Sequence, residues 1–188
     1  IYPYTAGSGP MHQYYDADNV DLVLAAATQI ASCADFPELE GRRLSDVSEE
    51  TGEPLDELVR RIITAPTKER TICVQFVIHE ADSAETLAHR LVMIGSDGIP
   101  DLSGRPHPRL YGTFPRVLGH YVRDRGIIGL EEAVRRMTSL SCDRFGLVDR
   151  GRIEVGRHAD VVLFDPGTII DTATYEDPQQ EPHGVGLV

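Results

Sequence analysis

Helical and extended apolar patterns take turns along this chain up to about residue 146, and beyond residue 151 only short extended runs remain. Such alternation folds as a sheet covered by helices, so it points to an α/β architecture with a parallel sheet or barrel and an appended β element. Leu55, Leu58, Val59, Ile62 and Ile63 recur at helical spacing behind Pro54, and Leu130, Ala133, Val134, Met137 and Leu140 form a second apolar stripe. Glu131/Arg135 and Glu132/Arg136 support that second helix as i,i+4 pairs. Between them the pattern predicts a strand over Thr71–Ile78, a helix capped by Asp82 and Glu85, and a short strand, Leu91–Ile94, that ends in Gly95-Ser96-Asp97-Gly98. A Gly/Pro loop over 104–108 follows, and Pro115 opens a helix closed by Gly126. Near the start, residues 1–6 read as a strand end entering a loop at 7–10, and Val20–Ala27 as a short helix, or one leading into a strand at Ile30–Cys33. After Gly151 short strands are expected over Arg152–Val155 and Ala159–Phe164.

A complete (β/α)8 barrel takes about 250 residues. This chain has 188 and supplies only two or three strand–helix units, so it reads as a small open α/β domain or as the last third of a barrel. It begins at Ile1 and stops within the apolar run Gly184–Val188, which favours a fragment.

Charge and cysteine content exclude several function classes. The 30 acidic residues against 18 basic ones leave a net charge of -12, which argues against nucleic acid and anionic membrane surfaces. No apolar run nears the length of a membrane span and no leader peptide is visible, so a cytoplasmic protein is expected. Cys33, Cys73 and Cys142 are odd in number and far apart, which suggests neither a disulfide framework nor a cysteine-based zinc site.

Asp97 is the foremost candidate for chemistry. It follows an expected strand, between glycines, at the end of the strand where ligands gather in parallel α/β folds. A carboxylate there can act as a base on water or bind a metal, or simply cap a turn. Arg109 follows in the proline-stiffened run Arg105-Pro106-His107-Pro108-Arg109, and its guanidinium can clamp a carboxylate or stay a solvated surface charge. None of the seven histidines forms H-x-H, H-x-x-H or H-E-x-x-H, so they declare no zinc site; His79, ending a strand, is the most interesting of them. Tyr2 and Tyr4 alternate on one face with Ser8 beyond, placed to bind a ligand or to pack. Ser8 lacks a nucleophile-elbow context and no phosphate-binding loop is present.

Five stretches together resemble the N-acyl-D-amino-acid deacylases of the amidohydrolase superfamily. They are Tyr2-Pro3-Tyr4-Thr5-Ala6-Gly7-Ser8, Ala31-Ser32-Cys33-Ala34-Asp35, Ile94-Gly95-Ser96-Asp97-Gly98, the run from His107 to Arg116, and Gly151-Arg152-Ile153 leading into Gly156 to Asp165. The resemblance covers nearly the whole chain. It implies the C-terminal part of a metal-dependent (β/α)8 TIM barrel (residues 1–146) with part of a small β-sandwich (residues 147–188). It also implies hydrolysis of N-acyl-D-amino acids, small-molecule substrates, by metal-activated water. Asp97 then matches the catalytic base and acid, and Arg109 the grip on the substrate's carboxylate. Tyr2 and Ser8 match helpers of that grip, with Tyr4 in reserve. The family's metal ligands, an H-x-H pair, a cysteine and two later histidines, precede the Tyr-Pro-Tyr motif. Zinc is therefore expected of the full-length enzyme with none of its ligands in this chain, and these 188 residues are expected to be inactive alone. A cyclic-amide amidohydrolase and a non-catalytic amidohydrolase-like scaffold are the alternatives; the Arg109 run disfavours the first and Asp97 weighs against the second.

Overall fold

A computed structural model describes residues 7–67, 71–100 and 104–187. The chain builds two hydrophobic cores in succession. The first lies under a three-stranded sheet of β1 (Gly7–Pro10), β2 (Thr28–Ser32) and β3 (Ile72–Gln75), in the order β1-β3-β2. Helices α1 (Leu22–Ala26), α2 (Leu44–Thr51) and α3 (Leu55–Ile63) close it. The apolar stripe foreseen on α3 supplies the floor, with Leu58, Val59 and Ile62 fully buried beside Ile30, Leu44 and Cys73.

This sheet is antiparallel throughout, with Gly9 opposite Cys73 and Gln29 opposite Val74, where a parallel one was expected. The reason is geometric. One crossover helix returns the chain to the end where a strand began, giving a parallel neighbour. Two helices, α2 and α3, separate β2 from β3, so the chain re-enters the sheet from the far end. Residues 7–10, expected as loop, form edge strand β1, whose Pro10 sits at a strand end where a missing N–H is tolerated.

The second core joins α4 (Glu80–Ala88), the π-helix Val117–Asp124 that continues α5 (Arg109–Arg116), and α6 (Leu130–Met137), which leads on into α7 (Ser139–Phe145). Leu87, Val117, Tyr121 and Ala133 are fully buried in it, together with Ile169 from the C-terminal segment. The expected α4 starts earlier than foreseen, since His79 rather than Asp82 caps it through Nδ1, which accepts the Ala81 N–H at 3.2 Å. The helix expected from Pro115 starts at Arg109, placing Pro115 inside it. Pro115 has no N–H for the ladder, and the next turns widen into a π-helix over Val117–Asp124, followed by the i→i−5 bond from Arg125 N–H to His120. The stripe over 130–140 is divided between α6 and α7 by Thr138.

Two expected strands are absent. Residues 91–94 form no ladder: among the described residues no strand runs beside them, and Ile94 N–H bonds to the Arg136 carbonyl at 3.3 Å instead. Past Gly151 only Leu163–Phe164 (β4) is extended and paired, antiparallel to Val185–Leu187 (β5). Ile153 and Val155 of the other expected strand are exposed, in irregular backbone and a turn. No helix among the described residues is long and apolar enough to cross a membrane.

Candidate active site

Asp97 and Arg109, twelve positions apart, meet in an ion pair of 2.8 Å between Asp97 Oδ2 and Arg109 Nη2. Their environments are opposite. The Arg109 side chain is 10% exposed and that of Asp97 85% exposed, so a held cation presents a carboxylate to the surface.

Local backbone chemistry aims each partner. Asp97 has φ +48°, the single non-glycine residue with positive φ among the described residues, and aspartate tolerates that conformation better than most side chains. The Ser96 hydroxyl accepts the Gly98 N–H at 3.3 Å and tightens the turn. Gly98 then packs against α5: a Cβ there would stand 3.2 Å from Leu110 Cα, so glycine lets the Asp97 turn approach the helix start.

Arg109 is the first residue of α5, and the loop before it is pinned to the first core. Arg105 N–H donates to the Ala31 carbonyl on β2 at 2.7 Å, and Arg105 Nη1 donates to the Glu176 carbonyl at 3.0 Å. Gly104, at φ +61°, lies flat on β2 because a Cβ would come within 2.3 Å of the Ala31 oxygen. His107 is buried behind the pair, its ring edge-on to Tyr175 at 5.3 Å between centroids. Its Nδ1 accepts the Arg109 N–H at 3.0 Å. Burial, and secondly the Arg109 charge, push the imidazole pKa down to about 3, so the ring is neutral.

Tyr14 completes the neighbourhood. Burial raises its phenol pKa, Cys73 and Asp97 raise it further, and Arg109 partly opposes them. A Cβ on Gly9 would stand 3.0 Å from the Tyr14 hydroxyl, so the bare glycine of β1 makes room for it.

The structure thus brings two of the sequence candidates together. Tyr2, with its reserve Tyr4, lies outside the described residues, and Ser8 lies in β1 opposite Val74. His79 serves as a helix cap, and His120 and His158 face Glu80 and Asp149 at 3.7 and 3.1 Å. Neither Tyr14 nor the acceptor role of His107 carries a signal in motif or spacing. Among the described residues no group of three His, Cys, Asp or Glu could hold a metal ion, and all three cysteines are buried and unpaired.

An exposed carboxylate meeting a held guanidinium sets a proton acceptor beside a cation able to hold an anionic group. The chain belongs to the amidohydrolase family, whose model matches residues 15–186. Among its relatives is a D-aminoacylase from Alcaligenes xylosoxydans xylosoxydans, 46% identical over all of this chain and 36% of that protein. The N-acyl-D-aspartate deacylase of the same organism is 38% identical over 88% of this chain and 32% of its own length. A crystal structure of D-aminoacylase superposes with a TM-score of 0.82 at 43% identity, over 98% of this chain and 36% of that one. The zinc-bound N-acyl-D-glutamate deacylase of Bordetella bronchiseptica, complexed with a phosphonate mimic of the tetrahedral intermediate, gives 0.81 at 36% identity, over 99% and 36%. The expected α/β class holds, and the chain has the fold of the matched third of an amidohydrolase barrel enzyme. It spans about a third of the length of the relatives it matches.

Proposed function

We propose that the whole protein hydrolyses N-acyl-D-amino acids to a carboxylate and a free D-amino acid. The Asp97–Arg109 pair is the observation that carries this reading, with the deacylase relatives beside it. Asp97 takes a proton from the attacking water as its oxygen bonds to the acyl carbon. As the carbon–nitrogen bond breaks, the same carboxyl returns that proton to the departing amine. Arg109 has five N–H donors in a planar fork and holds the substrate's α-carboxylate close to Asp97. Tyr2 and Ser8 are proposed to help fix that carboxylate and with it the D-configuration. Asp97 is one carboxylate and not a ligand set, so the described residues do not fit a metal by themselves and no step here runs through one. Zinc stays part of the proposal for the whole protein, on the strength of the zinc-bound relative. The same reading divides the chain into barrel elements (1–146) and part of a β-sandwich (147–188), in keeping with the left-handed Gly146 that ends α7.

The test is Asp97→Asn in the whole protein, assayed on N-acetyl-D- and N-acetyl-L-amino acids. Asn accepts the positive φ, and the side chain is exposed, so folding is expected to be unchanged. The expected loss in kcat is about 10²- to 10⁴-fold. Turnover at the wild-type rate would remove Asp97 from the mechanism, and equal rates on both enantiomers would remove the D-specificity.

A further inference from the structure

We propose that His107 is a positioning residue: its imidazole caps the start of α5 and thereby sets where Arg109 stands. The inference rests on reading Arg109 as the carboxylate grip. The first amides of a helix have no partner within the helix, and a Ser, Thr, Asp or Asn at the N-cap usually supplies one. Here the N-cap is Pro108, which has no side-chain acceptor. The Arg109 N–H belongs to a buried residue, and His107 Nδ1 accepts it at 3.0 Å. The His107 carbonyl takes the next amide, that of Leu110, also at 3.0 Å. One residue, placed before the proline, therefore does the work that the N-cap cannot.

Only a neutral ring with the proton on Nε2 can accept at Nδ1. The surroundings hold it in that state. The imidazole is buried, the Arg109 guanidinium is its cationic neighbour, and the Tyr175 ring meets it edge to face. Tyr175 itself packs tilted against Phe76 at 4.7 Å between centroids, and Phe76 carries the Arg43 guanidinium 3.7 Å above its face. The imidazole thus sits against a wall of rings contributed by the sheet unit and the C-terminal segment. From there its Nδ1 reaches the backbone of the residue whose side chain meets Asp97.

The experiment uses the whole enzyme with N-acetyl-D-leucine as the probe. His107→Phe keeps a ring and removes the acceptor, while His107→Asn offers Oδ1 to the same amide. The expected result for His107→Phe is a rise in KM of about tenfold with kcat little changed, because a carboxylate contact is made alike in ground and transition states. His107→Asn is expected to stay within about threefold of wild type, and it decides the matter even where the Phe variant does not fold. In an Arg109→Ala background, His107→Phe is expected to add nothing, since it acts through Arg109. Equal KM rises in the Asn and Phe variants, or an undiminished His107→Phe effect without Arg109, would overturn the inference while leaving the function standing. An unchanged KM in Arg109→Ala alone would instead overturn the carboxylate grip, and this inference with it.

Discussion

Gly104 and Gly126 share a φ of +61° and differ in what surrounds them, so together they isolate a single contact. A Cβ on Gly126 meets nothing within 4 Å. Gly126→Ala therefore costs only the left-handed backbone, about 1 kcal/mol. On Gly104 the same Cβ would stand 2.3 Å from the Ala31 oxygen, about 1 Å short of ordinary contact. That oxygen is the acceptor of the Arg105 N–H, so the loop cannot yield without breaking the bond that pins it to β2. Losing a bond to a buried carbonyl adds about 1–3 kcal/mol, which brings Gly104→Ala to roughly 2–4 kcal/mol. The functional consequence follows from the chain path. Arg109 follows Gly104 by five positions, and a displacement of about 1 Å at the proposed carboxylate grip can cost 10²-fold in rate. Both variants of the whole protein are to be unfolded in urea and assayed for kcat/KM on an N-acetyl-D-amino acid. Gly126→Ala is expected to lose stability and keep its activity, whereas Gly104→Ala loses both. Equal destabilisation of the two, within about 0.5 kcal/mol, would refute the claim that the β2 contact holds the loop.

Arg136 is the next test. Its side chain is almost fully buried, donating to the Leu87 and His89 carbonyls at 2.6 and 2.9 Å and to Glu132 at 2.7 Å. Arg136→Leu strands both carbonyls and is expected to cost about 3 kcal/mol in a urea titration; a loss below about 1 kcal/mol would show that they find other donors. His107 also predicts a pH dependence. Its folded pKa of about 3 lies below the unfolded value of 6.5, so the unfolded chain binds the extra proton between them. This contribution is fully present above pH 6.5 and is lost as pH falls toward 3, at up to about 1.4 kcal/mol per pH unit. The stability of His107→Asn measured at pH 7 and 5 is expected to fall less than that of the wild type, and parallel curves would show that His107 takes up no proton on unfolding.

The α/β class was legible because it rests on apolar periodicity, which the buried face of α3 obeys; on α6 the stripe buries Ala133 beside Arg136 and leaves Val134 exposed. Strand pairing was not, because it is a relation between segments. The β-branched run of β3 foretold a strand and said nothing about the direction of its neighbours. The length of the connection carried that information, since the two helices between β2 and β3 reverse the return. The second of them was plain in the sequence. The first, α2, buries only Leu44 and Val47 and offers almost no stripe to find. At residues 91–94 and 152–155 the composition of strands is present, but a strand needs a partner and none stands beside them among the described residues.

The site divides along the same line. Asp97 was legible because a carboxylate between glycines after an apolar run is a local signature, and the structure adds the +48° turn that the glycines announce. Arg109 was legible as a guanidinium in a stiff loop, yet not as a helix residue, because Pro115 looked like a start and is an interior position. Moving that boundary back six residues changes what its neighbours do. In a loop His107 is one histidine among seven. At the head of a helix whose N-cap is proline it is the acceptor for the first amide, and the amide belongs to the arginine that meets the Asp97 carboxylate. Its role is invisible to motif spacing because it depends on a missing cap at the neighbouring position. A histidine one residue before a proline N-cap is therefore a pattern with its own physical warrant. The buried acceptor it supplies costs little only while the ring is neutral, which ties the placement of Arg109 to the polarity of the wall behind it.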